Sequence, residues 1–130
     1  MLLGVLQMAL AEHPRYADLH LRCSRVLNRL GRLAAAAEHA ERAVQINPRY
    51  VDGLLQLAGL TASPGREAEA VELFQRAIDA GADWPDVHYQ AGRLMKTLGR
   101  RSHAARHLKR SLQLNSSYTR AAEELASLAA

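Results

Sequence analysis

Apolar residues recur every three or four positions along most of the chain. Leu19, Cys23, Val26, Leu27 and Leu30 make one such stripe, closed by Gly31, and a second runs from Leu33 to Ile46, closed by Asn47-Pro48. This spacing sets one face of an α-helix against a core. Glycine tolerates the left-handed backbone that ends a helix and proline has no amide to continue one, so the two stripes predict two antiparallel helices joined by a tight turn. The opening segment differs, because Leu2, Leu3, Val5, Leu6, Met8, Ala9 and Leu10 surround almost its whole circumference. Glu12, His13 and Pro14 follow at once, and no run reaches the roughly 18 apolar residues of a membrane-spanning helix. Without a basic flank or a small-residue cleavage site, the segment is read as folded structure, not as a secretory signal.

The two-helix unit repeats. Asn47-Pro48-Arg49-Tyr50 echoes His13-Pro14-Arg15-Tyr16 at a separation of 34 residues. The same shift aligns Tyr16, Tyr50, Trp84 and Tyr118; Gly31, Gly65 and Gly99; Ala36, Ala70 and Ala104; Ala43, Ala77 and Ser111; and Asp18, Asp52 and Asp86. That many columns at one period mark an array in which each unit buries its apolar face against its neighbours. The register gives full units at 17–50, 51–84 and 85–118, about eight helices in all. Residues 1–16 align with the second helix of a preceding unit whose first helix is missing, and 119–130 with a capping first helix. In that cap Ala122, Leu125 and Ala129 are expected to pack inward while Arg120, Glu123 and Glu124 stay wet. Asp18, Asp52 and Asp86 are expected to cap the first helices. The second unit is irregular: Ser63-Pro64-Gly65 ends its first helix early, and Gly81-Ala82 replaces the closing proline. The opening helix carries more apolar surface than one neighbouring pair covers, which points to a longer parent array or to a homodimer through that helix.

The pattern resembles the tetratricopeptide repeat family over essentially the whole chain. The matching residues are the columns Ala36/Ala70/Ala104 and Ala43/Ala77/Ser111, the closing Pro14 and Pro48, and the large apolar Phe74 and Leu108. His20, Leu54 and His88 depart from the family's preference for Trp, and Cys23-Ser24, Leu57-Ala58 and Ala91-Gly92 from its Leu-Gly. The resemblance implies an all-α, right-handed superhelical solenoid of antiparallel helix pairs. It also implies a concave groove, lined by the first helices, that holds a peptide.

Composition narrows the chemistry. With 48% hydrophobic and 23% charged residues the chain can bury a core, which excludes intrinsic disorder. The single Cys23 closes no intrachain disulfide and suits the cytoplasm, the favoured compartment, as well as a periplasm. Net charge is +4, carried by 15 Arg and 2 Lys, which permits an anionic partner without requiring one. No glycine-rich phosphate loop, nucleophile elbow or HExxH motif occurs, so no enzyme activity and no cofactor are expected. His103 and His107 have ligand spacing on a helix, but they lack a third ligand and sit among Arg101, Arg106 and Lys109, so they are read as solvent-facing imidazoles and no metal is expected. His20 and His88 are read as fillers of inter-helix space, and Cys23 as an inert inward thiol.

The register then names the groove. Its columns are Leu21, Leu55 and Tyr89; Arg22, Gln56 and Gln90; Arg25, Gly59 and Arg93; and Asn28, Ala62 and Lys96. Arg22, Arg25, Arg93 and Lys96 suit carboxylates, Gln56 and Gln90 suit a peptide backbone, and Leu55 and Tyr89 suit an apolar anchor. The two-carboxylate clamp of some family members is not matched, since Leu21 and Arg25 stand where it needs Lys and Asn. An acidic or C-terminal peptide is therefore the expected partner. The alternative is an accessory repeat region of a larger enzyme or secretion protein. Arg32, Arg66 and Arg100, with Arg42, Arg76 and Arg110, form basic stripes that could meet nucleic acid, but no aromatics stand among them to stack on bases.

Overall fold

The computed structural model describes residues 2–129, which form eight α-helices with no strand among them. They are α1 (Leu2–Glu12), α2 (Ala17–Arg29), α3 (Leu33–Ile46), α4 (Val51–Thr61), α5 (Glu67–Asp79), α6 (Pro85–Thr97), α7 (Arg101–Leu114) and α8 (Thr119–Ala129). Consecutive helices pack on one another along the whole chain, and the tightest partners are α2 with α3, α4 with α5, and α6 with α7. The fold is thus a stack of helix pairs.

Two kinds of turn build the stack. Within the first pair Gly31 takes a φ of 77°, while Arg32 N–H reaches back to the Leu27 carbonyl at 2.9 Å and Gly31 N–H to Asn28 at 3.0 Å. That closure satisfies carbonyls at the helix end and needs a residue without a Cβ. Between pairs, Asn47 and Asn115 leave the helix in extended geometry, and their side-chain carbonyls accept from Arg49 N–H at 3.3 Å and Ser117 N–H at 3.1 Å. The second unit lacks that Asn and ends at Gly81 instead, with φ 122°.

The columns Ala36, Ala70 and Ala104, and Ala43, Ala77 and Ser111, are fully buried. Small side chains there let the helices approach closely. The approach is closest at Gly92, where an added Cβ would lie 2.8 Å from Cγ of the buried Leu108. The main core joins Val44, Leu54, Leu57, Phe74 and Val87 from the first unit into the third, and a second joins Tyr89, Met95, Leu108, Ala121 and Leu128.

Two expectations need correcting. The aspartates do not cap: the N-cap positions are Tyr16, Tyr50 and Trp84, with no side-chain cap hydrogen bond, and Asp18, Asp52 and Asp86 lie one residue inside the first turn. They still meet the positive end of the helix dipole, an effect of about 0.3–1 kcal/mol for each. In α8 the inward face is Ala121 and Leu128 with Leu125 half-buried, whereas Ala122 and Ala129 are exposed. A helix covered on one side only leaves its face underdetermined in sequence, and here the phase is set by packing on Tyr118, Leu112 and Met95.

Candidate functional site

The first helices form one layer, but not an even one. α2 packs on α4 and α6 packs on α8, whereas no Cα of α4 comes within 8 Å of one in α6. A cavity of about 420 Å³ occupies that opening, lined by Leu55, Gly59 and Ala62 of the α4 side, Phe74 of α5, and Asp86, Val87 and Gln90 of α6. Physically the gap follows from small residues. Gly59 has nothing within 4 Å of where a Cβ would stand, α4 stops at Thr61, and Phe74 of the layer below becomes the floor. A second cavity of about 440 Å³ lies along the other flank of α4, lined by Asn28, Leu33, Gln56 and Leu60 and sharing Leu55, Gly59 and Ala62 with the first. The shared residues make one trough that crosses α4.

The candidate groove residues divide by their surroundings. Leu55 and Gln90 line the cleft, and half-buried Gln56 borders it while donating from Nε2 to the Ser24 hydroxyl at 3.2 Å. Arg22 and Arg25 are exposed on α2, Arg22 facing Asp18 at 4.0 Å, and Arg25 makes no ion pair among the described residues. Tyr89 is 6% exposed and packs against the Tyr118 ring, with the Arg93 guanidinium 5.6 Å above it, so it belongs to the core on the α8 side and lines neither cavity. Leu21 is buried as well. Lys96 is already engaged, donating to Glu124 at 3.0 Å and to the Ser127 hydroxyl at 2.6 Å across to α8.

Part of the second basic surface is built into the fold, through Arg76 and Arg110. Arg76 donates to the Pro48 carbonyl at 3.3 Å and Arg49 to the Asp79 carbonyl at 3.2 Å, tying successive units. Arg110 clasps both carboxylate oxygens of Asp83, and with His88 it holds that carboxyl well below the usual range. Arg32, Arg66 and Arg100 occupy the N-cap positions of α3, α5 and α7, with Arg66 paired to Glu69 at 2.8 Å.

One feature was legible in sequence and missed. His20 of α2 and His39 of α3 bring their Nδ1 atoms to 3.0 Å, and His88 of α6 and His107 of α7 do the same at 3.0 Å. The pairs are related by a shift of 68 residues, two repeat lengths, so the column was there to read. His107 is therefore half-buried against His88, not facing solvent as expected, while His103 is exposed. Burial first, then His88, Arg106 and His103, pushes His107 down to about 4. Cys23 is fully buried, and burial pushes its thiol up. No group of three metal-ligating side chains occurs among the described residues.

Stacked helix pairs at a fixed period, with an open trough across the first-helix layer, define a helical-repeat solenoid. A tetratricopeptide repeat family model matches residues 27–94, more than half of the chain, and the protein belongs to that family. Its fold commonly mediates protein–protein interaction. No curated protein matches the chain. Among solved structures, YrrB, described as a tetratricopeptide repeat protein with an unusual peptide-binding site, is 20% identical with a TM-score of 0.86; the match covers 95% of this chain and 63% of that one. The first such region of Spaghetti, solved with an HSP90 peptide, is 15% identical with a TM-score of 0.79, covering 87% and 90%. An O-GlcNAc transferase of Thermobaculum terrenum is 24% identical with a TM-score of 0.73, covering 86% of this chain and 22% of the enzyme. At these identities the likeness is one of fold, and the chain spans less than two thirds of YrrB.

Proposed function

We propose that the chain is a non-catalytic scaffold that binds a peptide segment in the trough across α4, with an acidic residue or C-terminal carboxylate over α2. The observation that carries this reading is the opening between α4 and α6: an apolar floor of Leu55, Phe74 and Val87 beside the amide of Gln90. A floor of that kind takes one apolar side chain, and the amides of Gln56, Gln90 and Asn28 pair with the backbone around it. Arg25 and Arg22 supply donors for carboxylates from α2, and Arg93, exposed on α6 over the Tyr89 ring, offers a third cation. Such charge-assisted hydrogen bonds contribute about 1.5–3 kcal/mol each when sheltered and less when exposed, so binding weakens with salt. Lys96 joins only by releasing Glu124. YrrB and the Spaghetti region, both described with peptide-binding sites or peptides, support the class of ligand.

Gly59→Leu tests the site without harming the fold. Its side chain enters open space, so the helix should keep its stability while the trough is plugged. Fluorescence anisotropy with labelled peptides carrying a Leu flanked by Glu, and the same peptides with Lys for Glu, should show binding of the acidic set only. Gly59→Leu should abolish it, and Arg22→Glu/Arg25→Glu should weaken it about tenfold or more, the size of one such bond. Unchanged affinity in both variants removes the proposal. The Thermobaculum terrenum match supports a second reading, in which these repeats serve as an accessory region of a larger enzyme. The exposed Leu2, Val5 and Met8 of α1 support docking of a second copy there.

A further inference from the structure

We propose that the two histidine pairs are acid-sensitive latches, which hold the first and third helix pairs closed and release them when a second proton enters each pair. The geometry is the same in both. His20 directs Nε2 at the Pro14 carbonyl, 2.9 Å away, and Nδ1 at Nδ1 of His39; His88 directs Nε2 at the Asp83 carboxylate, 2.7 Å away, and Nδ1 at Nδ1 of His107. The ring centroids are 5.3 Å apart in each pair, with planes tilted by 35° and 33°. His20 and His88 are buried, so each latch joins an inter-unit segment, a first helix and a second helix through one imidazole.

Proton counting fixes how each latch works. A carbonyl or carboxylate only accepts, so Nε2 of His20 and His88 must carry the proton, and in the neutral ring Nδ1 is then an acceptor. His39 and His107 therefore donate from Nδ1. One added proton leaves the bridge intact, because a single N–H still lies between the two Nδ1 atoms whichever ring carries the charge. Two added protons place N–H against N–H at 3.0 Å between two cations, and the bridge is lost.

The surroundings resist that second proton. His39 lies below its ordinary value, through burial first and then His20, with Glu38 opposing. His107 lies at about 4 through burial, His88, and Arg106 and His103 on its own helix, while Asp83, clasped by Arg110, faces the far side of His88. The middle unit carries Leu54 and Leu73 at the corresponding positions, with Leu54 fully buried. Acid thus loosens the outer pairs and spares the central one that floors the trough.

The chain supplies its own control variant. Thermal and urea unfolding from pH 7.5 to pH 4 should be compared for the natural chain, His20→Leu/His39→Leu, His88→Leu/His107→Leu and the quadruple variant. A base whose folded value is depressed stabilises the fold above its unfolded value, near 6.5, and loses that contribution as pH falls toward the folded value. The unfolding constant of the natural chain should therefore rise with acid by up to about tenfold per pH unit for each pair. Each double Leu variant should remove one pair's share of that slope, and the quadruple variant should flatten the profile. Nitrogen-15 imidazole shifts of the natural chain give an independent readout, in which His107 stays uncharged at pH 6 and His39 takes up its proton below the ordinary imidazole range. Equal slopes in all four proteins, or two charged rings in either pair at pH 6 with the fold intact, overturn the proposal.

Discussion

Two glycines at comparable places in first helices should respond in opposite directions to the same change. At Gly92 an alanine Cβ would meet Cγ of Leu108 at 2.8 Å and the Ala104 carbonyl at 3.3 Å, and Leu108 is fully buried, with no room to yield. Overpacking costs about 1–3 kcal/mol, which exceeds the ~1 kcal/mol that alanine gains over glycine inside a helix. At Gly59 nothing stands in the way, so the helix gain is kept. Urea denaturation should show Gly92→Ala with a lower midpoint and Gly59→Ala with an equal or higher one; a loss at both would mean that backbone freedom, not packing, sets the choice of glycine. Close-packed small residues were legible in sequence as the columns Ala36/Ala70/Ala104 and Ala43/Ala77/Ser111, whereas Gly59 shares its column with Arg25 and Arg93. Residues whose role depends on a partner were not legible. His107 looked wet beside three basic neighbours until the fold set His88 against it, and Lys96 looked like a groove cation until α8 brought Glu124 across.

Elements were read well where both faces are contacted. α2 to α7 follow the apolar stripes because each helix is sandwiched and its periodicity has to serve two neighbours. The end helices are held on fewer sides, and their readings diverged. In α8 the inward phase was misassigned, while α1 buries only Leu6 and Leu10 and leaves Leu2, Val5 and Met8 more than half exposed. If α1 docks a second copy, Val5→Glu should make sedimentation of the chain monomeric at every concentration without altering its helical circular dichroism, because Val5 already faces solvent. A natural chain that is monomeric at high concentration ends that idea. The cleft between α4 and α6 was also hidden. Ser63-Pro64-Gly65 and Gly81-Ala82 announced two irregularities, but a gap arises only from how the elements on either side of them pack.

Across the whole molecule each helix touches its sequence neighbours, and the sole longer reach among the described residues is α2 to α4 and α6 to α8. Stability in such a stack is close to a sum of unit and interface terms, so local opening need not cost global unfolding. α1 rests on α2 alone, α8 on α6 and α7, and α4 on α2, α3 and α5, with the largest core cluster spread over α3 to α6. Amide hydrogen exchange should therefore be graded: α1 fastest, then α8, and α4 and α5 slowest, with α6 close behind. Because the trough lies over α4, α5 and α6, a bound peptide should slow exchange there more than at the ends. The gradient is the discriminating observation. Uniform protection from α1 to α8 would show that the stack opens as one cooperative unit, and acid could then no longer loosen the outer pairs without the centre.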